Sequence, residues 1–161
     1  MRWLLIIVAI IIGLVVIVYM VGMILPRKHV AVVQVMIPAN SEKVWNRITA
    51  VSQFPNWRKD MTTIQIVNDS EWTEVSGRMR IPMKMQEREP MRRMVAVINS
   101  KDLPFSGEWV YELQPQGDST LVTITENGEV GPPIFRFVSK FIMGHTATLN
   151  KYVSSLQESF K

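Results

Sequence analysis

Hydrophobic positions divide the chain into three patterns. Residues 3–25 form an apolar run without a charged side chain. From Val30 to about Glu126 the alternation is mostly period two, the mark of strands with one buried face. From Pro132 onward the period lengthens. Ile134, Val138, Phe141, Ile142, Leu149, Tyr152, Val153, Leu156 and Phe160 recur at steps of three and four, with Arg136, Lys140, Lys151, Ser154 and Glu158 opposite. That spacing predicts one helix over residues 132–161, about 45 Å long, with Pro132 and Pro133 in its first turn and Lys161 in its last. The strands need an apolar cover, and this helix is the long soluble cover the chain offers.

The first run reaches about 34 Å as a helix, enough to cross a hydrocarbon core of about 30 Å. A cleaved signal peptide is the competing interpretation. Its apolar core is ordinarily about 7–15 residues and ends at a small-x-small site, and Val21-Gly22-Met23 is a poor one. An uncleaved transmembrane anchor is therefore expected over residues 3–25, with the bilayer as its partner. Arg27 and Lys28 follow it against Arg2 before it, a small bias that favours a cytoplasmic domain. Residues 26–29 span about 13 Å even when extended. A domain over residues 30–161, behind an anchor and linker over residues 1–29, must then sit against the membrane.

Within that domain a strand at residues 30–38 leads to a short helix. Asn40 or Ser41 can cap it, and Val44, Trp45 and Ile48 make its apolar face. Pro55 limits residues 52–61 to a second, very short helix and a turn. Six strands are expected next, at about 62–67, 71–76, 80–89, 92–99, 108–114 and 120–126. Their short turns imply an antiparallel meander.

Charge and composition remove several function classes. Lys plus Arg number 18 against 14 Asp plus Glu, a net charge of +4. Nucleic-acid binding would need a basic stripe interleaved with aromatics, which the sequence lacks. Anionic lipid headgroups are a better match for a mild positive charge. There is no cysteine, so disulfides and thiol nucleophiles are excluded, and with two histidines a histidine-rich metal site is not expected. No cofactor is implied.

The order strand, two short helices, six strands, long helix carries a resemblance. With IPANSEKVWNRI near its start, Phe54-Pro55-Asn56-Trp57, GEWVYELQP, TLVTITENGEV and IFRFVSKFIMGHTATLNKYV, the chain resembles the START-like (SRPBCC) superfamily. It is most similar to the bacterial group of polyketide cyclase/dehydrase and lipid-transport proteins. The resemblance covers about residues 30–161. It implies an α+β, helix-grip fold: a curved antiparallel β-sheet wrapped around a long C-terminal helix, with an apolar cavity between, here behind one transmembrane helix. The implied location is a single pass in a bacterial inner membrane.

Candidate chemistry is sparse. Met83 and Met85, and Trp109 and Tyr111, fall on apolar strand faces and are candidate ligand-lining residues, together with Phe137, Phe141 and His145. Methionine, of which there are 11, adapts to variable apolar ligands but equally fills irregular cores. His145 lies mid-face on the C-terminal helix and is a candidate proton carrier. Gly144 beside it leaves room for a strand or ligand to approach. Glu126 shares a face with Val122 and Ile124, while Glu87 and Glu89 continue the face of Met83 and Met85. Inward carboxylates are candidate acids or bases, although solvent exposure or pairing with Arg88, Arg92 or Arg93 is the expected state. Arg78, Arg80, Lys84, Arg88, Arg92 and Arg93 read as a solvated outer face. The leading expectation is a membrane-anchored binding module for a lipid or other hydrophobic small molecule. The alternatives are a cyclase/dehydratase-like enzyme using His145 or an inward glutamate, and a non-catalytic membrane-associated interaction domain.

Overall fold

The computed structural model describes residues 2–144 and 146–161. The apolar run forms helix α1 (Arg2–Ile24), and strand β1 (Lys28–Ile37) begins four residues later. Helix α2 (Ser41–Thr49) is capped by Asn40, whose side chain accepts from Lys43 N at 3.0 Å. Ser41 instead lies 3.2 Å from the Thr120 hydroxyl. A 3-10 turn (Val51–Gln53) runs into the short α3 (Phe54–Trp57).

Six strands follow: β2 (Thr63–Ile66), β3 (Glu71–Ser76), β4 (Met79–Glu89), β5 (Arg93–Ile98), β6 (Phe105–Gln116) and β7 (Ser119–Val130). With β1 they make one antiparallel sheet in the order β1-β7-β6-β5-β4-β3-β2. Short turns join the neighbours in the meander, and β1 closes on the last strand. Strands β6 and β7 outrun their apolar alternation because Gly107 pairs with Gly128, extending the ladder to Phe105↔Val130.

The C-terminal cover departs from a single straight helix. It consists of α4 (Pro133–Val138), a π-helical turn (Ser139–Met143) and α5 (Ala147–Glu158). Gly144, at φ +75°, ends the π turn with its N–H donated to Ser139 O at 2.9 Å, a backbone state that glycine adopts without a steric penalty. Its missing side chain does not admit a neighbour, since a Cβ there would meet nothing within 4 Å.

The two pieces are held by different partners. Along α5, Leu149, Tyr152, Val153 and Leu156 are buried in the core with Val44, Trp45 and Ile48 of α2 and the inner face of the sheet. Full burial of each aliphatic side chain contributes about 1.5–3 kcal/mol. α4 leans instead on α1: a Cβ on Gly22 would lie 2.0 Å from Pro133 O. Arg136 Nη1 donates to Gly22 O (3.3 Å) and Leu25 O (3.2 Å), and its Nε to Val130 O and Gly131 O. One straight helix would not follow both the sheet and α1.

Candidate functional site at the α1 end of the sheet

Strand register sorts the inner face into rows. One row crosses the sheet as Val33, Ile124, Tyr111, Met94 and Arg88. The next, nearer the α1 end, is Ala31, Glu126, Trp109, Ala96 and Met85. Beyond it β1, β7 and β6 contribute His29, Gly128 and Gly107, and β4 contributes Met83 opposite Trp72. Thus Met83, Met85, Trp109 and Glu126 come together in two adjacent rows, as half-buried side chains. His29, which has no motif to mark it, joins them.

His29 Nε2 lies 3.5 Å from Glu126 Oε1, with only 13% and 20% of the two side chains exposed. The imidazole rests where Gly128 has no side chain. Burial lowers the His29 pKa. This is a half-buried acid–base pair on the inner face, and Glu126 is neither at the sheet edge nor joined to Arg88, Arg92 or Arg93. Sequence reasoning passed over His29 as linker. The available signal was a glycine in each of two strand ends, Gly107 and Gly128, a pattern that marks close approach.

Glu87 and Glu89 do not continue the inner face. A bulge between Met85 and Glu87 reverses the parity of β4. Glu87 then pairs with Arg93 and Glu89 with Arg92, while Arg88, still exposed, lies on the inner-face side with its guanidinium 5.9 Å over Trp45. Arg88 therefore leaves the expected outer basic face, on which Lys84 bonds Glu71 at 3.3 Å.

Below these rows an aromatic group fills the space under α5. The Tyr152 ring centroid is 5.3 Å from Trp57, 5.5 Å from Trp109 and 5.6 Å from Tyr111. Arg58, 5% exposed, sits 5.0 Å over the same ring and bonds Glu74 (3.1 Å) and Asp60 (2.8 Å). Burial would lower the Arg58 pKa, but Glu74 and Asp60 outweigh it and keep the charge. Burial likewise would raise Asp60, yet its bond and charge contact with Arg58 hold it below its ordinary value. Burial pushes the Tyr111 and Tyr152 phenols up, so both remain neutral hydroxyls. Trp57 Nε1 is a buried donor with no hydrogen-bond partner among the described residues.

The remaining candidates are dispersed. Tyr111 is a core residue, 4% exposed. Phe137 is half-buried and lies 4.9 Å from Phe141, which is 57% exposed and stays outside the core because the cover breaks after it. His145 lies outside the described residues. Among the described residues no group of three or more His, Asp or Glu side chains could hold a metal ion. A polar groove of about 470 Å³, lined by Lys59, Asp60, Lys151 and Glu158 among others, lies on the solvent side of α5.

The profile of the family described as polyketide cyclase / dehydrase and lipid transport matches residues 28–155. Solved structures share the fold at low identity. A START superfamily protein from Mycobacterium smegmatis superposes with a TM-score of 0.67 at 17% identity, over 82% of this chain and 97% of that one. A conserved protein from Geobacillus kaustophilus gives 0.68 at 14%, over 82% and 95%. A point mutant of Thalictrum norcoclaurine synthase, in complex with a transition-state analogue, gives 0.67 at 12%, over 83% and 94%. No curated protein matches by sequence.

Proposed function

The chain belongs to the polyketide cyclase / dehydrase and lipid transport family, and from that premise we propose that it is a membrane-anchored binding module for a lipid or other apolar small molecule. The observation that carries this reading is the divided cover. α5 covers the buried rows of the sheet and α4 leans on α1, while Met83, Met85 and Trp109 pack against the edge of the core towards α1 and stay only half-buried. A ligand leaving the bilayer beside α1 reaches that edge first. Met83, Met85, Trp109 and Phe137 contact its apolar body, and Glu126 and His29, beside Trp109 on the inner face, meet a polar end. Burial of about 300–500 Å² of ligand surface at ~25 cal/mol/Å² is worth roughly 7–12 kcal/mol before ordering costs.

The test is native mass spectrometry of the full chain, delipidated in detergent and then offered a total lipid extract. A stoichiometric adduct on the wild type, lost in Met85→Glu with the melting temperature retained, supports the module. A bare mass at every extract concentration overturns it.

The His29–Glu126 pair favours a second reading, acid–base catalysis of the cyclase or dehydratase kind. Norcoclaurine synthase, a neighbour in fold, is named as an enzyme. In that case Glu126→Gln abolishes turnover and keeps ligand binding, whereas a pure carrier has no turnover to lose.

A further inference from the structure

We infer that residues 133–143 form a second membrane-contacting element, lying along the bilayer interface beside the point where α1 leaves it. This rests on reading α1 as a membrane span. Ile134, Phe135, Phe141, Ile142 and Met143 are all large, apolar and 42–70% exposed within eleven residues. So dense a patch is an interaction surface rather than ordinary exposure.

Its position identifies the occupant. Pro133 packs on Gly22, two residues before the end of α1 at Ile24. At 1.5 Å per residue that places the start of α4 within about 3 Å of the end of the apolar helix, measured along its axis. Arg136 bonds the Gly22 and Leu25 carbonyls, satisfying backbone acceptors at the depth where water becomes scarce. Arg27, Lys28 and Lys140 line one narrow cleft beside the same junction, of about 40 Å³. Apolar side chains next to a basic rim match the boundary between acyl chains and anionic headgroups. The element that carries the patch is fixed to the end of α1 through Pro133 and Arg136, so lipid around α1 reaches the patch.

The absence of cysteine allows single labels to test this in the full chain. Cysteine is placed at Phe135 or Ile142, at Ile10 within α1, and at Asp118 in the far β6–β7 turn. Each variant carries an environment-sensitive fluorophore in phosphatidylcholine/phosphatidylglycerol vesicles whose acyl chains are brominated near the headgroup or near the bilayer centre. The expected result is a blue shift and loss of intensity at positions 135 and 142 with the shallow bromine, at position 10 with the deep one, and none at 118. Quenching at 10 without quenching at 135 and 142 overturns the interfacial element and keeps the anchor. A blue shift at 142 that bromine does not quench means a protein covers the patch, which also overturns it. No quenching at 10 removes the anchor and the inference with it.

Discussion

A Cβ built on Gly128 would lie 2.3 Å from His29 Cε1, so the imidazole of one strand occupies the side-chain volume missing from the next. Gly128→Ala must therefore expel the ring or part β1 from β7. The expected cost is about 1–3 kcal/mol of stability, the usual range for overpacking. Thermal and denaturant melts check it, and His29→Gly combined with Gly128→Ala should recover most of the loss.

The lowered pKa of His29 sets a pH dependence. In the window between its folded value and the ordinary 6.5, the unfolded chain binds the proton that the folded chain refuses. Stability is then full above about 6.5 and falls as pH drops below it. Denaturant melts from pH 7.5 to 5 should show this loss in the wild type and a flatter profile in His29→Gln. Asp60 acts in a separate, more acidic range. Its lowered pKa gives stability that is present above the ordinary carboxylate value of 3.8 and is lost as pH falls through its folded value.

Arg58 is buried between two carboxylates and an aromatic ring. Arg58→Ala leaves Glu74 and Asp60 without their cation and should cost about 3–5 kcal/mol. Arg58→Lys should recover only part, because an ammonium cannot reproduce the forked contacts to both acids. Chemical denaturation with an unchanged slope checks both.

Opposite sides of Gly144 should respond differently to truncation. Leu149→Ala and Leu156→Ala empty fully buried sites and should each cost about 2–5 kcal/mol. Ile142→Ala, at a position 70% exposed, should stay within about 0.5 kcal/mol in detergent. Parallel melts of the three variants decide whether the cover acts as two pieces.

The antiparallel run from β2 to β7 and the capped α2 were legible because alternation and turn residues are local signals, whereas the pairing of β1 with β7 is not local. Strand β3, for example, begins at Glu71 and ends at Ser76 as its pattern predicts. The inward turn of Arg88 was not legible. One extra residue in β4 reverses which side chains face the core, and nothing in Met85-Gln86-Glu87 announces it. The break in the cover was half legible. Gly144 was visible, but the apolar stripe at 134, 138, 141 and 142 reads the same whether it meets a sheet or lipid. His29 was hidden by its place beside the apolar run of α1. Its importance arises from Glu126 and Gly128, about a hundred residues away in sequence, which the sheet brings beside it.

The Arg136 bonds to Gly22 and Leu25 have a mechanical consequence. They tie α1 and α4 together, and the pair joins the sheet through the α1–β1 and β7–α4 connections, with Gly144 marking where the cover turns away towards α5. On the proposed reading of α1 as a membrane span, a bilayer that changes the tilt of α1 moves α4 with it. On that reading α1 works as a handle on the domain as well as a tether.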